Sequence, residues 1–277
     1  MFIYDTHTHT SYSMDANVPP RDMAEAALGK GLGYIAFTDH YNADYFNIKE
    51  MYRENSSELK YPFDVNGQLG NVREVSDEYA GRIYIAAGVE CGYSKDSEDI
   101  YLDTLDARAY DVIINSVHTV FGEDIYDMRF FDKKTRERVL KDYLYLVRES
   151  IETKWSYDII GHIGYISRRM PYEKKLITLD EFHSEIDDIL NAIIKRDKCL
   201  ELNTQTKNTP YVFLPSEEIL RRYYELGGRK ISFGSDTHVV GRIADKYDIT
   251  AKIAKEIGFE GFTYYVNREP MTAKFDD

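Results

Sequence analysis

The chain has 277 residues, 43% hydrophobic and 30% charged, with 35 Lys+Arg against 48 Asp+Glu and a formal net charge of −13. That balance belongs to a globular protein rather than a disordered tail, and ~300 residues suffice for one large α/β core or two small domains. There is no run of ~18 apolar residues to span a membrane, no basic excess for an extended nucleic-acid footprint, and two cysteines, Cys91 and Cys199, cannot make a disulfide scaffold.

Met1-Phe2-Ile3-Tyr4-Asp5 has neither the basic nor the apolar region of a secretory leader, so a cytoplasmic protein with reduced thiols is expected. Short apolar runs alternate with longer amphipathic ones. Phe2–Tyr4 predicts the first strand; Arg21–Lys30, after Pro19-Pro20 and before Gly31, predicts the first helix. Tyr34–Phe37 predicts the second strand, followed by an irregular stretch, Tyr41–Asn66, long enough to be a functional loop or lid. Its Tyr41, Tyr45, Phe46, Tyr52 and Tyr61 either wall a pocket or only pin the loop. Strands are predicted next at Ile83–Ala87, Val112–Ile114, Asp158–Ile160, Cys199–Leu202 and Lys230–Phe233, and more weakly at Phe259–Tyr265. Helices are predicted over Lys133–Thr153, Leu179–Arg196, Pro215–Leu226 and Arg242–Ile257. Seven strands alternating with helices mean a parallel α/β architecture in one domain, 1–277.

Six of the seven histidines stand just after an apolar run. His7 and His9 follow the first, His40 the second, His118 the fourth, His162 the fifth and His238 the seventh. Glu90 follows the third run, and Asp236 precedes His238 by two. In a parallel barrel these side chains emerge at the C-terminal rim of the strands, where barrel active sites sit. Imidazoles and carboxylates converging there are metal ligands. With Asp15 they make nine candidates, too many for one ion, so three sites sharing ligands fit better. Three divalent ions against three carboxylates leave a net positive site, suited to a dianionic phosphate monoester. His183, inside a predicted helix, has no assigned role.

The motifs Asp5-Thr6-His7-Thr8-His9-Thr10, Thr38-Asp39-His40, Gly88-Val89-Glu90, Ser116-Val117-His118, Gly161-His162 and Gly234-Ser235-Asp236-Thr237-His238 resemble, in order, those of the PHP (polymerase and histidinol phosphatase) superfamily. The length and the ending Tyr264-Tyr265-Val266-Asn267-Arg268-Glu269-Pro270 are similar to its histidinol-phosphatase branch. The resemblance implies a distorted, TIM-like (β/α)7 barrel with three divalent ions, manganese, zinc or iron, and no organic cofactor. It implies His7, His9, Glu90 and Asp236 on one ion; Glu90, His118 and His162 on the second; Asp15, His40 and His238 on the third. Asp15 stands where some members have histidine. Two further positions differ from the family: Gly164 where an acid is common, and Lys207 as the only cation shortly after Glu201-Leu202-Asn203, where histidinol phosphatases tend to have arginine.

Hydrolysis of a small phosphate monoester, L-histidinol phosphate above others, to the alcohol and phosphate is therefore expected. Arg168, favoured, with Arg169 and Lys207 are the candidate phosphate-binding cations, since guanidinium grips phosphate oxygens bidentately. Asp39 either orients His40 or protonates the leaving group. Three other readings stay open: action on a nucleotide or short oligonucleotide, an amidohydrolase-like C–N hydrolase, and a metal-binding protein without turnover.

Overall fold

The apolar runs of the sequence become one parallel sheet that nearly closes on itself. A computed structural model describes residues 3–54, 62–207 and 209–275. Its strands are β1 (Ile3–Thr8), β2 (Leu32–Tyr41), β3 (Tyr84–Gly92), β4 (Val112–Ser116), the short hairpin β5 (Thr119–Val120) and β6 (Glu123–Asp124), then β7 (Ile159–Ile160), β8 (Cys199–Asn203) and β9 (Ile231–Gly234). The sheet runs β1-β2-β3-β4-β7-β8-β9, every neighbouring pair parallel. Its two edges meet through Asp236 N–H to His7 O at 2.8 Å and His9 N–H to Thr237 O at 2.9 Å. The result is a mixed α/β barrel of the distorted TIM-like kind, with helices between successive strands.

Alternation along the strands sorts side chains into two layers. Tyr34, Ala36, Ala86, Val112, Ile114, Ile159 and Cys199 fill the barrel interior. Ile35, Phe37, Ile85, Ala87, Ile113, Leu200, Leu202, Ile231 and Phe233 face the helices. The same alternation sends Thr38 and His40 inward and Asp39 outward. In β1 the register shifts twice, at Ile3/Tyr4 and Asp5/Thr8, and such bulges re-aim side chains at strand ends.

The helices run over Pro20–Gly29, Glu50–Arg53, Val65–Glu78, Ser97–Thr104, Arg136–Ile151, Leu179–Lys195, Glu217–Glu225 and Tyr247–Ile257. Within the expected irregular stretch lie a 3-10 turn, Ala43–Asn47, and the short helix Glu50–Arg53. Tyr45, Ile48 and Tyr52 form a small buried cluster of their own. Tyr45 and Tyr52 donate to Asp124 Oδ1 (3.1 Å) and Glu123 Oε2 (3.3 Å), so these tyrosines pin the loop to the β5–β6 hairpin. Tyr61 lies outside the described residues. Among the described residues no helix is long and apolar enough to cross a membrane. Cys91 and Cys199 are buried and unbridged.

The weakest predicted strand is not a barrel stave. Gly261–Val266 (β10) pairs antiparallel with Glu269–Lys274 (β11). This hairpin reaches the barrel interior, where Tyr265 joins the cluster and its carbonyl accepts from Tyr34 Oη at 2.9 Å. Arg268 anchors it, with Nε 2.7 Å from Asp158 Oδ2 and NH2 3.0 Å from Oδ1. Both side chains are largely buried. Arg268→Ala should therefore destabilise the fold by about 3 kcal/mol, because it strands a buried carboxylate. Urea unfolding checks this, and a loss below about 0.5 kcal/mol contradicts the anchoring role.

Candidate metal centre

Strand register sets the first contacts. In the β2–β3 pair His40 lies opposite Glu90, and both side chains face inward, His40 Nδ1 standing 2.8 Å from Glu90 Oε2. His118 and His162 come from the segments just past β4 and β7, with Nε2 atoms 3.2 and 2.7 Å from Glu90 Oε1. From β1 and the residue after it, His7 Nε2 and His9 Nε2 stand 3.3 and 3.6 Å from Glu90 Oε2. Glu90 is thus the hub of five imidazoles, fully buried.

Asp236 closes the far side, with Oδ1 3.2 Å from His9 Nε2 and 3.8 Å from His7 Nε2. It holds the left-handed conformation, φ 51°, a strained choice for a residue other than glycine that functional sites tolerate. His238 Nε2 stands 3.0 Å from Asp15 Oδ2, and His40 Nε2 3.7 Å from Asp15 Oδ1. The rings of His9 lie 4.2 and 4.1 Å from those of His40 and His238. All nine expected ligands therefore meet at the rim. Three compact groupings stand out: His7, His9 and Asp236; His9, His40 and His238; His40, Glu90 and His118. His9 and His40 each belong to two of them, so the partition is less separate than the family resemblance implies.

Hydrogen bonds behind the rings fix which nitrogen is free. Glu201 Oε1 stands 2.5 Å from His7 Nδ1, Asn42 Oδ1 3.1 Å from His118 Nδ1, and the Asp236 carbonyl 3.1 Å from His238 Nδ1. Each acceptor holds a ring proton on Nδ1, so Nε2 is the nitrogen turned toward the cluster. Yet His7 Nε2 and His9 Nε2 approach to 3.1 Å, and His118 Nε2 and His162 Nε2 to 3.3 Å. Two nitrogens, each about 2.1 Å from one ion, stand roughly 3.0–3.4 Å apart, so the donor set fits a metal.

Each carboxyl and ring in the cluster feels the charges of its neighbours. Burial works to raise Glu90, but His7, His118 and His40 outweigh it and hold the carboxyl well below the usual range. Asp236 is likewise held low against burial, chiefly by Arg168 and His7. Burial, reinforced by His238 and His40, pushes His9 well down. His7 goes the other way: burial opposes the charge, but Glu201, Glu90 and Asp236 raise it well above its ordinary value.

Two residues the sequence reading passed over complete the site. Glu201 also accepts from His162 N–H at 2.6 Å and from Asn203 Nδ2 at 3.1 Å. Gly234 makes room for it, since a Cβ there would stand 2.2 Å from Glu201 Oε1 and 2.7 Å from His7 Cβ. Tyr165 sets its ring 5.0 Å from His162 and 5.4 Å from His118.

The expected cations separate. Arg168 is buried, donating to Asp236 Oδ2 at 3.0 Å and Asn203 Oδ1 at 2.7 Å, over the Tyr165 ring. Arg169 turns away, donating to the Tyr126 carbonyl at 3.1 Å and stacking on that tyrosine's ring. Lys207 is exposed on the turn after β8. Arg169 is thus engaged away from its expected place. Asp39 narrows to one of its two expected roles. It is fully buried and accepts from Thr10 N–H (2.6 Å), the Thr10 hydroxyl, Ser13 Oγ (2.9 Å) and Gln68 Nε2 (3.3 Å). A carboxylate facing the helix layer and occupied by these donors is not placed to protonate a departing alcohol.

Residues 5–205 match the family model of the PHP domain. The chain is 26% identical over 256 residues to a histidinol-phosphatase of Lactococcus lactis, covering 92% of this chain and 91% of that protein. It is 26% identical over 253 residues to a probable histidinol-phosphatase of Clostridium acetobutylicum, covering 91% and 93%. It also superposes on a crystal structure of histidinol phosphate phosphatase from Lactococcus lactis complexed with zinc, L-histidinol and phosphate. That likeness has a TM-score of 0.86 at 25% identity, over 97% of this chain and 98% of the other.

Proposed function

Because this chain belongs to the PHP domain family, we propose that its rim cluster hydrolyses a small phosphate monoester, L-histidinol phosphate, to L-histidinol and phosphate. The observation that carries this reading is the convergence of six imidazoles and the carboxylates of Asp15, Glu90 and Asp236 at one rim, with ring nitrogens 3.1 and 3.3 Å apart. The curated relatives and the zinc-, histidinol- and phosphate-bound neighbour support the substrate.

His7, His9, Glu90 and Asp236 would hold one divalent ion, Glu90, His118 and His162 a second, and Asp15, His40 and His238 a third, manganese, zinc or iron. Bound there, such ions supply Lewis acidity, bringing a water toward ionisation near neutral pH and offsetting phosphate charge. The protein's part is preorganisation. Glu201, Asn42 and the Asp236 carbonyl hold the rings by their Nδ1 edges, so the Nε2 atoms already face the ion sites. Arg168 keeps a guanidinium beside Asp236, where it can meet phosphate oxygens, and Tyr165 shields one wall.

His7 adds a pH signature. Raised above its ordinary value, it carries a proton at neutral pH when no metal is bound, and that proton must leave for Nε2 to serve as a ligand. Zinc binding to chelator-stripped protein should release about one proton per chain from this ring, and the affinity should weaken about tenfold per pH unit as pH falls toward 6. Calorimetry in buffers of different ionisation enthalpy reads the proton count, and uptake without proton release contradicts it.

Phosphate release from L-histidinol phosphate, measured beside sugar phosphates, mononucleotides and an aryl phosphate, tests the function. A kcat/KM for histidinol phosphate at least about 100-fold above the panel is expected, equivalent to about 2.7 kcal/mol of discrimination. Equal turnover of the panel overturns the substrate assignment but not the phosphatase chemistry.

A further inference from the structure

Ser13 sits in the turn after β1, buried, and no role follows for it from the ligand set. Its hydroxyl nevertheless meets three groups. It donates to Asp39 Oδ1 at 2.9 Å, accepts from His40 N–H at 3.1 Å, and stands 2.9 Å from His9 Nδ1. We propose that Ser13, held by Asp39, is a positioning residue that sets the ring tautomer of His9 and so aims its Nε2 lone pair into the metal site. The inference rests on the metal reading above and deepens it.

A serine hydroxyl has one proton and two lone pairs. The partners of Asp39 are donors, beginning with Thr10 N–H at 2.6 Å on the same Oδ1. Ser13 therefore gives its proton to the carboxylate and presents only lone pairs to His9. The Nδ1 of His9 must then be the protonated nitrogen, and Nε2 is left bare, 3.1 Å from His7 Nε2 and 3.2 Å from Asp236 Oδ1. The other lone pair takes the backbone N–H of His40. One hydroxyl thus fixes the ring of one ligand and the strand end that carries another. Glu201 does the same for His7 with a charged acceptor; at His9 a neutral hydroxyl, polarised by Asp39 behind it, takes that place.

The test is zinc uptake by chelator-stripped protein against a chromophoric chelator, with the ring nitrogens of the zinc-loaded protein read by 15N NMR. Wild type should show His9 protonated on Nδ1 and zinc on Nε2. Ser13→Ala should weaken one bound equivalent by about 10- to 100-fold, leave the others within a few-fold, and disperse the His9 tautomer signal. Ser13→Thr, keeping the hydroxyl, should restore both. Unchanged melting of the metal-free Ser13→Ala protein would show that the loss is not unfolding. Zinc binding by wild type that Ser13→Ala leaves unchanged, with His9 still protonated on Nδ1, overturns the proposal alone. A wild-type chain that takes up no zinc overturns the metal reading as well.

Discussion

Glu90→Gln is expected to lower kcat/KM for phosphate release by about a thousandfold or more and to remove at least one metal ion per chain. A loss of that size is about 4 kcal/mol of transition-state stabilisation, more than one hydrogen bond supplies. The reason is Glu90's place at the hub. One oxygen faces His118 and His162, the other His40, His7 and His9. Glutamine keeps the volume, loses the charge and turns an amide N–H₂ toward rings whose lone pairs need a cation. Metal analysis and steady-state kinetics read the two effects together. Added zinc should raise the melting temperature of wild type by mass action and that of the variant much less. Activity within tenfold of wild type would mean that Glu90 is not at the reacting centre.

Arg168→Ala is the second large effect, about 100-fold or more in kcat/KM, whereas Arg169→Ala should stay within about threefold. Sequence favours Arg168 of these neighbours, and geometry gives the reason. The 3-10 turn Tyr165–Arg168 ends with Arg168 folded inward and Arg169 directed to Tyr126. Removing the buried guanidinium leaves Asp236 without the cation that chiefly holds its carboxyl low, and leaves Asn203 Oδ1 with the Gln205 N–H. Truncating one partner of a buried, hydrogen-bonded charge pair costs several kcal/mol, here split between metal affinity and phosphate binding. Arg168→Lys should recover little, because a point charge cannot bridge Asp236 and Asn203 at once. Equal losses from Arg168→Ala and Arg169→Ala would contradict the assignment.

The barrel strands were legible because each is buried on both faces and reads as a short apolar run. The helix Val65–Glu78 was not. It buries only Gln68, Leu69, Val72 and Val75 and carries Gly67 and Gly70, so its apolar stripe is thin and its composition reads as loop. Its start is set by Asp64, whose Oδ1 accepts from Gly67 N–H at 2.9 Å, a cap inside a stretch that looked structureless. Gln68 then reaches Asp39 and the Phe37 and Gly88 carbonyls, a role that no local pattern signals.

At the site, the histidines were visible because a strand end followed by an imidazole is an uncommon pattern and it recurs around the barrel. The two roles of Asp39 were left open although the signal that separates them was present. Adjacent residues of a strand face opposite sides, so with His40 inward, Asp39 had to face the helices. Glu201 and Asn203 obey the same alternation, inward at the end of β8, and could have been found by it. Ser13 could not: its place depends on how the turn after β1 folds back, and no periodicity governs a turn.

Hydrolysis of a phosphate monoester by metal ions at this rim is tested most directly by phosphate release from L-histidinol phosphate as chelator-stripped protein is titrated with manganese or zinc. Negligible turnover without metal is expected, with a rise that levels off near three equivalents per chain. Full turnover by the stripped protein, or none at any metal loading, would contradict it.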